Sequence, residues 1–335
     1  MHNITLIVGD GIGKEITKSA MAVIDSTGVK IVYDIMVAGE EALLKCGNPL
    51  PDDVINSIKK NKVALKGPVT TQIGKGFKSV NVGLRQKLDL YANIRPVKSM
   101  PGVKAINDNV DIVIFRENTE DLYAGIEEVV DEDEVHAIKV ITRKASRDIA
   151  RAAFEYVKKN NRKKVTAIHK ANIMKLSDGL FIEEVRNVSK DYTDIKYDEM
   201  IVDNACMKLV QNPEMFDCIV TENLYGDIIS DLCAGLVGGL GIVPGMNIGD
   251  EYAVFEAVHG SAPDIAGKNI ANPIAIILSS VEMLKYIGET DAADLIQNAV
   301  FKLLDDGKVL TPDLGGTSNT DELTAELCNI INTFK

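Results

Sequence analysis

The sequence has no excess of basic residues: 37 lysines and arginines stand against 49 aspartates and glutamates, a formal charge of −12. A surface of that sign repels phosphate backbones and anionic lipid, which argues against nucleic acid and membrane as partners. A small anionic substrate fits only where local arginines reverse the field. No CxxC pair occurs, and the five cysteines (46, 206, 218, 233 and 328) are odd in number. They read as buried or idle thiols of a reducing compartment. Long apolar runs are absent too. The most apolar stretch, residues 232–248, is interrupted by Gly238, Gly239, Gly241, Pro244 and Gly245 and bounded by Asp231 and Asp250. It reads as buried helix plus loop, not as a membrane span. Only Met1, His2 and Asn3 precede the first expected strand, so no signal or transit segment is expected. The expected location is cytoplasmic, although a mature organellar protein has the same appearance. Neither an internal repeat nor a low-complexity linker marks a domain border.

What is present is apolar residue in quantity: 46% of 335 residues. A single core stops growing at roughly 250–300 residues, which favours two lobes or one large α/β domain. Short β-rich runs at 4–8, 31–36, 63–65, 112–115, 165–168, 218–221 and 253–256 alternate with helical patterns, the signature of an α/β sheet protein. The clearest helix is 146–159, where Ile149, Ala152, Ala153, Tyr156 and Val157 share one stripe behind a capping-type Ser146. Residues 135–142 alternate with period two and read as a two-stranded arm outside the main sheet.

Four groups of residues carry chemistry. Gly9, Gly11 and Gly13 follow a strand and open a helix, but their GxGxG spacing is not the GxGxxG of a dinucleotide fold. They are expected to form a tight strand-to-helix turn. Arg85, Arg95 and Arg116 are three guanidinium forks, each able to hold a carboxylate bidentately, with Ser79 and Asn81 as neutral hydrogen-bonding neighbours. Any one arginine taken alone is more ordinarily a surface ion pair. Asp227 and Asp231 lie four apart, on one helix face. Like charges so placed call for a cation, and a hard divalent ion with Asp203 as a third ligand fits as well as a solvated acidic face does. Lys170 follows an expected strand and becomes a candidate base if cations lie near it.

In order along the chain, the strings GDGIGKE, KGPVTT, SVNVGLRQKLDLYANIRP, FRENTEDLYAGIE, HKANIMK, ENLYGDIISD and EAVHGSAPDIAGKNIANP resemble the isocitrate/isopropylmalate dehydrogenase family over essentially the whole length. The resemblance implies a two-lobed α/β fold with a shared central sheet, not a Rossmann fold, and a dimer clasp. The large lobe would be 1–98 with 238–335, the small lobe 99–237, and the clasp arm about 121–143. It implies that Ser79 and Asn81 grip one carboxylate of isocitrate while Arg85, Arg95 and Arg116 hold carboxylates. Tyr123 and Lys170 become the acid–base pair, with cations near Tyr123 lowering its pKa. Asp203, Asp227 and Asp231 become ligands of Mg²⁺ or Mn²⁺. Lys170 and Asp203 would come from a partner subunit, hence a homodimer or higher homo-oligomer. Thr70, His259, Gly260, Ser261, Ala262, Pro263, Asp264, Ile265 and Asn272 resemble the family's cofactor contacts. NADP enzymes of bacterial type carry lysine and tyrosine where Asp264 and Ile265 stand, and tyrosine and arginine where Pro312 and Gly316 stand, so the cofactor implied is NAD. The activity implied is NAD-dependent, decarboxylating oxidation of isocitrate. Homoisocitrate, 3-isopropylmalate or a malate-type acid is the alternative substrate, and a non-catalytic regulatory subunit is the alternative of another class.

Overall fold

The computed structural model describes residues 1–71 and 79–335. Its strands are β1 (His2–Ile7), β2 (Ile31–Met36), β3 (Val63–Lys66), β4 (Ala92–Lys98), β5 (Asp111–Glu117), β6 (Asp121–Val129), β7 (Val135–Val140), β8 (Lys164–His169), β9 (Lys196–Ile201), β10 (Cys218–Thr221), β11 (Pro244–Ile248) and β12 (Ala253–Ala257). Ten form one sheet in the order β2-β1-β3-β12-β11-β4-β5-β10-β8-β9, and β6 pairs with β7 in a separate two-stranded sheet. Strands from the two ends of the chain fill one half of the main sheet, and β5, β10, β8 and β9 from the middle fill the other. Each half is parallel at its flank. The two halves meet through antiparallel pairs, β12 with β11, β11 with β4 and β4 with β5. Helices cover both faces, so β3, β10 and β12 are buried along their whole length. This is why they read as continuous apolar runs.

The expected arm is present as β6 and β7. Three strands of the main sheet escape the periodicity, each for a physical reason. β4 interleaves Asn93 and Arg95 with apolar residues because the face they share serves a cleft. β9 is an edge strand and carries the charges that edges tolerate. β11 begins at Pro244, a position where a strand needs no donor, so the expected loop is a strand. The helix expected from Ser146 begins earlier, at Arg143. Thr142 caps it by accepting the Ala145 N–H, while the Ser146 hydroxyl donates back to the Thr142 carbonyl. Among the described residues, no helix is long and apolar enough to cross a membrane.

Candidate active site

Register explains how two distant arginines meet. In the β4–β5 pair Asn93 lies opposite Arg116 and Arg95 opposite Ile114. Asn93 and Arg95 are two apart, so they share a face, and Arg116 joins it across the ladder as a diagonal neighbour of Arg95. Arg95 therefore sits within its strand. The third guanidinium arrives on a helix: Asn81 and Arg85 lie four apart on α-helix Val80–Lys87, whose N-cap position is Ser79.

These elements enclose a cleft of about 220 Å³ lined by Ser79, Asn81, Arg85, Arg95, Arg116, Tyr123 and Asp227, with Lys66, Asn93 and Glu256 among its other walls. Arg116 is 1% exposed. Its Nε and Nη2 donate to Asn223 Oδ1 at 2.9 and 2.7 Å, and its Nη1 donates to Asp227. Arg95 reaches Asp231 at 3.1 Å and Asp227 at 3.5 Å, and also donates to Ser230. The cation that the paired aspartates call for is thus supplied, in this chain alone, by guanidinium groups. Burial, and then the neighbouring Arg116 charge, lower the Arg95 pKa to about 10 and that of Arg85 in the same direction. Against the opposing effect of burial, Lys66 at 2.6 Å and Arg85 at 3.7 Å hold Glu256 down at about 2.

Among the described residues, three buried polar atoms around this cleft have no partner: Asn81 Oδ1, Arg85 Nε and His259 Nε2. Buried groups of this kind are ordinarily satisfied, so their convergence marks a place for a polar ligand. Tyr123 donates to Asp227 Oδ2 at 2.5 Å, with the Arg116 guanidinium 4.9 Å from its ring centroid. The expectation of a lowered tyrosine pKa is wrong. Burial and donation to a carboxylate raise it, and outweigh Arg116.

Gly226, on the helix Asn223–Val237 that carries both aspartates, has a steric reason. A Cβ there would lie 2.5 Å from Arg116 Cγ. Gly226→Ala should therefore raise KM for the anionic substrate about tenfold or more by displacing Arg116, although alanine favours a helix by about 1 kcal/mol over glycine. Steady-state kinetics beside a melting curve separates the two effects.

Lys170 and Asp203 do not line this cleft. They pair with each other at 2.5 Å, and the Asp203 side chain is 70% exposed. Thr221 on β10 is opposite both Arg116 on β5 and Ile168 on β8. Lys170 therefore follows a strand two sheet spacings, about 10 Å, from the one bearing Arg116. Among the described residues, no three histidine, cysteine or acidic side chains of this one chain gather as a metal site. The hard carboxylate oxygens of Asp227 and Asp231 suit a divalent cation, which commonly takes one or two protein carboxylates beside substrate oxygens and water.

A second cleft, about 510 Å³, adjoins the first through His259 and Gly260 and is lined also by Ala262, Ile265, Asn272, Ile12, Gly241, Ile270, Pro312 and Asp313. Ile12, Gly241, Ile270 and Asp313 are additions that spacing alone did not single out. Ser261 is buried, and its hydroxyl is 2.8 Å from that of Thr70. Pro263 and Asp264 are not among the cleft's walls, and Asp264 is exposed. Asn272 donates to Asp313 at 2.9 Å. The N-terminal glycine turn serves this wall: Ile12 N–H donates to the Ser261 carbonyl at 2.9 Å, and a Cβ on Gly11 would sit 2.0 Å from that oxygen.

The family model described as isocitrate/isopropylmalate dehydrogenase matches residues 3–328. A regulatory member of the mitochondrial NAD isocitrate dehydrogenase of Dictyostelium discoideum is 52% identical over 98% of this chain and 91% of its own length. A catalytic member of the mitochondrial enzyme of Arabidopsis thaliana, its number 5, is 50% identical over 97% and 87%. The alpha component of the mitochondrial enzyme of Bos taurus is 48% identical over 98% and 90%. A crystal structure of isocitrate dehydrogenase from Methylococcus capsulatus superposes with a TM-score of 0.96 at 50% identity, covering 99% of each chain. The expected cytoplasmic location is corrected by the mitochondrial relatives. Five free thiols suit the mitochondrial matrix as well as the cytosol, so they could not have distinguished the two.

Proposed function

The chain belongs to the isocitrate/isopropylmalate dehydrogenase family, and we propose that it catalyses the NAD-linked oxidative decarboxylation of isocitrate to 2-oxoglutarate and carbon dioxide in the mitochondrion. The observation that carries this reading is the cleft's charge. Lys66, Arg85, Arg95 and Arg116 line it with Glu256 and Asp227, four cations against two carboxylates. That positive excess suits a polycarboxylate such as isocitrate, and Asp231, paired with Arg95 from outside the lining, moderates it without cancelling it. The Lys170–Asp203 pair of a second copy would leave that excess unchanged.

Ser79 and Asn81 favour isocitrate over 3-isopropylmalate, because the Ser79 hydroxyl and the Asn81 amide N–H can donate to a carboxylate oxygen, whereas an isopropyl group offers them nothing to donate to. Asp227 and Asp231, with Asp203 of a second copy, would hold Mg²⁺ or Mn²⁺. When bound, that ion supplies a Lewis acid for the substrate's hydroxyl and then carbonyl oxygen, and NAD supplies the hydride acceptor. The chain's own residues do the rest. Arg85, Arg95 and Arg116 fix the carboxylates. Lys170 of a second copy takes the hydroxyl proton as hydride leaves C2, and after carbon dioxide departs Tyr123 returns a proton to C3. A tyrosine kept protonated by burial and by Asp227 is in the state a donor needs.

A second copy is supported by exposed apolar residues on the arm (Leu122, Ile126, Val129, Val135, Ile138) and around Lys170 and Asp203 (Ile173, Leu176, Met207, Val210). The two lobes are taken as 1–98 with 238–335 and 99–237, the same partition that the sheet's halves follow. NAD is favoured over NADP because a side chain at Gly316, where an arginine would read a 2′-phosphate, meets the Leu310 carbonyl at 2.0 Å. Asp264→Lys with Ile265→Tyr should move the NADP to NAD ratio of kcat/KM upward by about tenfold or more. An unchanged ratio counts against this account of cofactor choice. The regulatory reading is favoured by the name of the Dictyostelium relative alone, while Tyr123, Lys170, three arginines and three aspartates all stand in this chain. Initial rates of the purified single chain on isocitrate, homoisocitrate and 3-isopropylmalate, with NAD or NADP and with Mg²⁺ or chelator, test the proposal. Activity confined to isocitrate, NAD and Mg²⁺ is expected, and no activity on isocitrate would sink it.

A further inference from the structure

Outside the arginine cleft, one ammonium group holds together a set of buried carboxylates. Lys139, on the arm strand β7, lies 2.5 Å from Asp178 Oδ1 and 2.8 Å from Glu222 Oε2. Its Nζ is also 4.7 Å from the Tyr225 ring centroid. Asp178 is wholly buried. Its other oxygen accepts the backbone N–H of Lys170 at 2.7 Å and the Tyr225 hydroxyl at 3.2 Å. Asp121, the first residue of the arm, accepts the Leu224 N–H at 2.7 Å. Glu222 Oε1 and Asp121 Oδ1 are buried without partners among the described residues. Carboxylates thus outnumber cations here, and burial pushes Glu222 up to about 8. A buried carboxylate deprived of its cation is strongly disfavoured, so Lys139 is the member on which the others depend.

The cluster joins three pieces of the molecule: the arm, the start of the helix bearing Asp227, and the loop bearing Lys170. The arm is two strands with no third, a unit that is marginal by itself. We propose that Asp178 and Lys139 are positioning residues: Asp178 fixes the backbone at Lys170, and Lys139 makes that fixation conditional on the arm being in place. The consequence for turnover rests on the reading of Lys170 as the base. The structural half of the proposal does not.

The test uses the full chain and three variants, Lys139→Met, Lys139→Arg and Asp178→Asn, each checked for melting temperature and molar mass. Lys139→Met should lower kcat on isocitrate roughly 30- to 100-fold with KM within about threefold, because Lys139 does not itself line the arginine cleft. Lys139→Arg should recover kcat to within about fivefold. Asp178→Asn keeps an oxygen for the Lys170 amide but loses the ion pair, and should resemble Lys139→Met. If Lys139→Met fails to fold, the contrast between Lys139→Arg and Asp178→Asn decides. Amide hydrogen exchange over residues 170–174 should quicken about tenfold or more in Lys139→Met and Asp178→Asn. A parent chain inactive on isocitrate would remove the functional reading and leave the exchange result to judge the positioning claim. Exchange unchanged in both variants overturns that claim, and quickened exchange with kcat within threefold of the parent overturns its consequence for turnover.

Discussion

Arg116→Met should lower kcat/KM for isocitrate by roughly 10³-fold, the equivalent of about 4 kcal/mol. The side chain is 1% exposed and makes its contacts from all three guanidinium nitrogens, two to Asn223 and one to Asp227. Removing it takes one unit of positive charge from a cleft whose lining holds four cations against two carboxylates. It also frees Asn223 Oδ1 in a buried place, where an unmet acceptor is costly. Arg116→Lys restores the charge but not the fork, and should recover only about tenfold of the loss. Steady-state kinetics of both variants, beside circular dichroism to establish folding, provides the check. A methionine variant within tenfold of the parent would mean that Arg116 serves packing and not the substrate.

Tyr123→Phe should lower kcat of the whole reaction by roughly 10²–10³-fold while reduction of oxalosuccinate by NADH stays within severalfold of the parent. The substitution removes one oxygen and little else. The ring keeps its place beside the Arg116 guanidinium, and Asp227 keeps Arg116 and Arg95 as partners. The selectivity follows from the assignment of roles: oxalosuccinate reduction needs the proton relay at the C2 oxygen, whereas proton return to C3 belongs to the tyrosine. Burial and donation to Asp227 raise the tyrosine's pKa, so across the neutral range the group stays protonated and contributes no limb to the pH profile. Equal loss of both reactions would strip Tyr123 of this role.

Much of the site was legible because it is written in short range. The i, i+4 spacing of Asp227 and Asp231 places both on one helix face, and the family resemblance singled out Asn81 and Arg85. Asn93 was not singled out, because β4 was not read as a strand. Long-range register was not legible: nothing local says that Asn93 lies opposite Arg116, and that pairing is what brings the guanidinium groups together. Nor did spacing reveal that the glycine turn packs against Ser261, that Arg95 would stand between the two aspartates, or that Gly226 leaves room for Arg116. Tyr123 illustrates a different limit. Its cationic neighbour was foreseeable, but burial and the Asp227 acceptor decide the direction of its pKa, and both are products of the fold. Strands β4, β9 and β11 were missed where a functional face, an exposed edge and an initial proline override the apolar pattern that periodicity reads.

The central claim is that the guanidinium cluster and a divalent cation share one pocket for a tricarboxylate. A crystal structure of the chain with isocitrate and Mn²⁺ tests it most directly, using the metal's anomalous signal to locate the ion. The account predicts the signal at Asp227 and Asp231, with the substrate's carboxylates on Arg85, Arg95 and Arg116. Isocitrate bound elsewhere, or those arginines turned away from it into solvent, would contradict it.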